Sequence, residues 1–140
     1  MNQKNYNFVR NVKRLYLLMS RHIEEELKIH GLARSQFQVM HYVHEERGLT
    51  QKVLQQKMKV EPATLTVIID GLEKKDLLKR TESKTDKRVN ILLLTEKGTT
   101  LRESIPSLHE IIEKRMFQGI AMNDQKVIKN FIDQMIKNLE

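Results

Sequence analysis

The sequence predicts a mainly α fold carrying one small β-hairpin (α+β), and three observations lead there. Apolar residues recur at spacings of three and four through most of the chain, the signature of amphipathic helices. Residues 50–74 hold two short helical patterns separated by a tight break, and residues 77–94 follow as two short apolar-rich strands around a polar, basic turn. Helix, turn, helix, hairpin is the order of a winged helix-turn-helix, here flanked by helical segments at both ends.

The elements follow in order. From Phe8, the series Val12, Leu15, Met19, Ile23 and Leu27 marks one face of a long first helix that should end near Gly31. Phe37, Met40 and Val43 mark a second helix with Gly48 as its stop. Thr50 is placed to cap a third, whose buried face is Val53, Leu54 and Met58. After a turn at residues 59–61, Pro62 suits a first helical position, where no backbone donor is needed. Leu65, Ile68, Ile69 and Leu72 then form a core stripe. At 100° per residue, Ala63, Val67, Asp70 and Lys74 lie opposite it, with Thr66 and Gly71 on its flanks. Leu77–Thr81 and Val89–Leu94 should pair as strands around the tip SKTDKR. Leu101, Ile105, Leu108, Ile111 and Ile112 suggest one long helix kinked at Pro106, and Asn123 can cap a last helix. That helix carries Val127, Ile128, Phe131, Ile132, Met135, Ile136 and Leu139, an apolar stripe too strong for a free tail.

At 140 residues the chain suits one domain. A formal charge of +7 favours an anionic partner. The excess follows the helix-turn-helix and hairpin: residues 50–90 hold ten Lys/Arg against six Asp/Glu, whereas residues 91–140 hold seven of each. Zero cysteines remove disulfides and thiolate metal sites and agree with a reducing compartment. The basic amino terminus lacks a following apolar run, and no segment approaches bilayer length, so the expectation is a cytoplasmic chain without membrane association. There is no HExxH, phosphate-binding loop, dinucleotide glycine pattern or nucleophile elbow, which argues against an enzyme, and no cofactor is implied.

The ordered set LARSQFQVM, LTQKVLQQKMKV, PATLTVIIDGLEKKDLLKR and TDKRVNILLLTEKG, with its flanking helices, resembles the MarR (multiple antibiotic resistance regulator) family of bacterial winged-helix transcription factors over nearly the whole chain. The resemblance implies residues 1–140 as a single domain, comprising a dimerisation helix at 1–31, a DNA-binding lobe at 32–98 and dimerisation helices at 99–140. It implies a homodimer, commonly a repressor, with its recognition helix in the major groove of a palindromic double-stranded operator and its wing tip toward the minor groove.

Those roles fall on Ala63, Thr64, Thr66, Val67 and Lys74 in the helix and on Asp86, Lys87 and Arg88 in the wing. The Arg88 guanidinium suits a narrow A·T-rich minor groove, with Asp86 holding the tip by an ion pair. Thr64 and Thr66 have the competing fate of bonding their own helix. The chain departs from the family pattern at Val67 and Gly71, where arginines are usual, so no bidentate guanine contact carries over, although Val67 can meet a thymine methyl. Asp76 stands where the family usually has glycine, and Ala33 where it has threonine, leaving Ser35 as an alternative cap.

Many members of the family release DNA on binding a small aromatic or phenolic effector. Tyr16, His22, Phe37 and His41 are the candidates for such a pocket, against ordinary packing at the lobe junction. His41 and His44, three apart, fall short of a metal site, with His109 or a glutamate needed to complete one, and no metal is expected. Terminal helices that fold back within a monomer are the alternative to dimerisation. A winged-helix protein-interaction module, or a non-specific DNA-binding architectural protein, is the alternative to a sequence-reading regulator.

Overall fold

The computed structural model describes residues 7–105 and 107–140. The chain divides after Ile105 into two compact units, Met1–Ile105 and Pro106–Glu140.

In the first unit, α1 (Asn7–Ile29) is followed by α2 (Arg34–Glu45), strand β1 (Leu49–Thr50), α3 (Gln51–Met58), α4 (Pro62–Lys74), strands β2 (Leu78–Glu82) and β3 (Asn90–Leu94), and α5 (Glu96–Ser104). α2 lies at the centre, packed on α1, α3, α4, α5 and β3. Its Val39, Met40 and Val43 are buried together with Leu27, Leu54, Leu65, Ile69, Leu72 and Leu92. The α4 stripe is buried as its spacing predicts, and the face bearing Ala63, Val67, Asp70 and Lys74 is exposed. α4 thus buries one side in the core and leaves the other exposed.

The local signals act as physical chemistry requires. Thr50 Oγ1 accepts the Val53 N–H (3.2 Å), capping α3. Lys59 ends α3 in the left-handed region (φ 54°), and Pro62 opens α4 at its first position. Thr50→Ala should therefore cost about 1 kcal/mol of stability in urea unfolding, with the cooperative transition retained. Asp76 takes the left-handed conformation (φ 57°) after α4, the role a glycine would fill without strain.

The sheet has order β1-β3-β2 and is antiparallel throughout, with Leu49 opposite Leu92 and Arg80 also opposite Leu92 from the other side. The β2–β3 hairpin closes through Ser83 N–H to the Val89 carbonyl (2.8 Å) and Val89 N–H to the Asp86 carbonyl (3.0 Å).

Several details differ from the sequence expectations. β1 was not expected; two residues are too short to show a period. Val53 is exposed, leaving Leu54 as the buried residue of α3. α2 stops at Glu45, and Arg47 (φ 52°) enters the left-handed region before Gly48 (φ 104°) does. Ala33, not Ser35, holds the N-cap position of α2; its N–H is taken by Gln36 Oε1 (3.1 Å), an acceptor three residues on.

In place of one kinked helix after Thr95, α5 ends at Ser104 and α6 (Leu108–Met116) begins afresh in the second unit. Ile105 is extended (φ −90°, ψ 111°), as the clash with a following proline ring favours; Pro106 itself lies outside the described residues. The last helix, α7 (Met122–Leu139), has Ala121 as its N-cap residue, so Asn123 lies inside it. Every apolar residue of its stripe is at least partly exposed. No helix among the described residues is long and apolar enough to cross a membrane.

Candidate nucleic-acid interface

The candidate surface consists of the exposed face of α4 and the tip of the β2–β3 hairpin, which share one support. Arg80 on β2 forms ion pairs with Asp70 (Oδ1, 3.2 Å) and with Glu73, both on α4. Asp70 and Glu73 are one turn apart and so can both reach one guanidinium. This pairing ties the helix to the wing strand and neutralises the carboxylate on the exposed face of α4.

At the wing tip, Asp86 organises its neighbour. Its Oδ1 accepts the Arg88 backbone N–H (3.0 Å) and Nε–H (3.1 Å), and its Oδ2 accepts from Nη2 (3.2 Å). The Arg88 side chain is nevertheless 90% exposed. The tip therefore presents a guanidinium held in one orientation, with N–H groups left over for a partner and Lys87 exposed beside it.

The Arg88 side chain, and then its backbone N–H, hold the Asp86 carboxyl below its ordinary value. A depressed carboxylate stabilises the folded tip above the unfolded value of about 3.9 and loses that contribution as pH falls through the lower folded value. The tip should therefore stay paired throughout the neutral range and open only in strong acid. Carbon-13 titration should place the Asp86 midpoint below that of a free aspartate, returning toward it in Arg88→Ala.

On α4, Thr66 Oγ1 donates to the Pro62 carbonyl (3.0 Å) and accepts from Gln51 Nε2 (3.1 Å). The fate of bonding its own helix thus applies to Thr66, and the same hydroxyl braces α3 against α4. Ala63, Thr64, Val67 and Lys74 are exposed. Sequence reasoning missed Arg80 and Gln51. For Arg80 the signal was available: strand alternation puts it on the face of buried Leu78, where a lone cation implies nearby carboxylates.

The candidate effector residues do not share one environment. Phe37 is buried on α2, with the Arg102 guanidinium of α5 stacked 5.1 Å from its ring centroid. Arg102 also donates to His41 Nδ1 (2.8 Å), which makes that nitrogen the acceptor. Tyr16 is exposed and His22 half-buried on α1, the latter 3.5 Å from Glu25. His44 meets Glu103 (3.3 Å) and Glu45 (3.8 Å), so the two α2 histidines face different partners. Among the described residues no three His, Asp or Glu side chains converge as a metal site would require.

A family model described as MarR family matches residues 32–89, the stretch from the start of α2 through the wing. The HTH-type transcriptional regulator MhqR of Bacillus subtilis (strain 168) is 29% identical over 105 residues, covering 75% of this chain and 72% of the relative. Among solved structures, the YusO protein from Bacillus subtilis superposes with a TM-score of 0.83 at 21% identity, covering 96% of both chains. A mutant MarR from E. coli complexed with operator DNA superposes with a TM-score of 0.71 at 18% identity, covering 96% of this chain and 99% of the other. The family match spans the helix-turn-helix and wing, so residues 32–89 are similar to the MarR family, and the solved structures share the fold.

Proposed function

We propose that this chain is a sequence-specific, double-stranded DNA-binding transcriptional regulator that acts in the cytoplasm as a homodimer, repressing by occupying promoter DNA. The observation that carries this reading is the pairing of an exposed helix face on α4 with a held, exposed Arg88 at the wing tip. A helix of this kind fits the major groove, and a guanidinium suits a narrow minor groove. The curated relative is named a transcriptional regulator, and the E. coli neighbour was solved on operator DNA, which supports the same reading here.

Ala63, Thr64, Val67 and Lys74 would face the major groove, with Thr66 contributing an acceptor, and Lys87 and Arg88 would face the backbone and minor groove. Residues 32–98 form the reading lobe in this proposal, and residues 1–31 and 99–140 supply dimerisation. Phe8, Val12 and Leu15 on α1, and Phe131, Ile132 and Ile136 on α7, are exposed apolar residues whose burial against a second copy would stabilise a dimer. Two-fold symmetry then matches a palindromic site. An aromatic anion is the effector chemistry that Phe37, His41 and Arg102 would suit, and it would release DNA only by binding the DNA-incompetent state more tightly.

Salt separates this reading from a protein-interaction module. The affinity of the purified protein for a genomic DNA pool should fall steeply with salt on a log–log plot, by about 0.9 per neutralised phosphate. A nearly flat dependence would overturn the proposal.

A further inference from the structure

The exposed face of α4 is unusual for a DNA-reading surface in what it lacks. Its residues before the last turn are Pro62, Ala63, Thr64, Thr66, Val67 and Asp70. None is Arg, Lys, Asn or Gln, the side chains that make bidentate bonds to guanine or adenine edges. Two of the three groups capable of polar contact are already engaged within the protein. The Thr66 hydroxyl hydrogen goes to the Pro62 carbonyl, and Asp70 is paired with Arg80. Lys74 stands in the last turn, away from the amino-terminal part of a recognition helix that meets base edges.

What this face does offer is apolar. Val67, in the second turn of α4 and one turn beyond Ala63, is 71% exposed. A β-branched side chain in a helix is held in one strongly preferred rotamer, so it has little freedom to lose on contact. In the major groove the one apolar feature of a base edge is the C5-methyl of thymine.

We infer that Val67, with Ala63 beside it, is a specificity-determining residue that selects thymine in each half-site by packing against its C5-methyl group. This deepens the DNA-binding reading and rests on it. The operator then carries an A·T pair opposite the start of α4, and its preference there comes from methyl contact rather than from hydrogen bonds to the base.

The test removes the methyl without changing base pairing. In a duplex selected for tight binding, each thymine is replaced singly by deoxyuridine, and affinity is measured at fixed salt with the full-length wild-type protein and Val67→Ala. With wild type, one position per half-site should weaken by about fourfold, the value of one buried methyl-sized group. With Val67→Ala, binding to the unmodified duplex should weaken several-fold and the deoxyuridine penalty at that position should vanish, since the two changes delete the same contact. Val67 is solvent-exposed, so the variant leaves the core untouched.

Uniform tolerance of deoxyuridine, or a penalty that persists in Val67→Ala, would overturn the inference while leaving DNA recognition standing. Failure to select any duplex bound above the non-specific level would overturn both, and that outcome is distinguishable because the unmodified DNA is then already unbound.

Discussion

Replacing Arg88 with alanine should weaken specific DNA binding by about thirtyfold or more, equivalent to ~2 kcal/mol for a lost charge-assisted contact, while dimer and fold persist. The reason is geometric. The Arg88 side chain is 90% exposed and is oriented by Asp86 through its Nε–H and Nη2–H. Truncation therefore removes a donor from the surface without opening a cavity. Arg88→Lys should recover only part of the affinity, because an ammonium keeps the charge but loses the planar fork that Asp86 aligns. Anisotropy titrations on a specific duplex, with sedimentation to confirm the oligomeric state, would measure both. Unchanged affinity in the alanine variant would remove the wing tip from the interface.

The largest effect on stability is expected at Gly98. A Cβ built there would lie 2.0 Å from the Leu77 carbonyl oxygen and 2.9 Å from its carbonyl carbon, both backbone atoms that cannot rotate away. The close approach exists because Thr95, which caps α5 by accepting the Gly98 N–H (2.9 Å), also donates its own backbone N–H to that Leu77 carbonyl (3.1 Å). Glycine is needed here for space, since its backbone is not in the left-handed region. Gly98→Ala should cost about 3 kcal/mol or more, read as a lowered urea midpoint, because the start of α5 must move off the strand region. A cost below about 1 kcal/mol would contradict the packing described.

These two residues show how unevenly the sequence discloses its structure. The α4 stripe, the Thr50 cap and Pro62 at the first helical position were legible because each depends on neighbours within one or two turns. The wing was legible for the same reason, since the strands and their polar tip are adjacent in the chain. Long-range effects were not. β1 exists only because Leu49 and Thr50 meet Leu92 and Ile91 of β3, far along the chain. The Arg80 clamp on Asp70 and Glu73, and the Gln51 bond to Thr66, depend on elements brought together by folding. Helical spacing continues across Pro106 and suggests only a kink, but a residue before proline is pushed toward extended backbone, and at Ile105 the helix stops rather than bends. The polar side chain of Asn123 signals a cap for α7, but the helix begins two residues earlier, from the extended backbone of Ala121.

The effector candidates were the least legible part. Phe37 and His41 gain meaning only through Arg102, sixty-one residues from His41, which stacks on one and donates to the other. Nothing in the local sequence around Arg102 signals that role.

Whether a dimer of this chain reads a specific DNA sequence can be measured by selecting bound duplexes from a random pool. Enrichment should be carried out with purified protein at low and at near-physiological salt. A recurrent palindrome that survives the higher salt is expected, with A·T pairs where the wings and the starts of α4 would lie. Binding without any recurrent sequence, or enrichment that disappears entirely as salt rises, would contradict it.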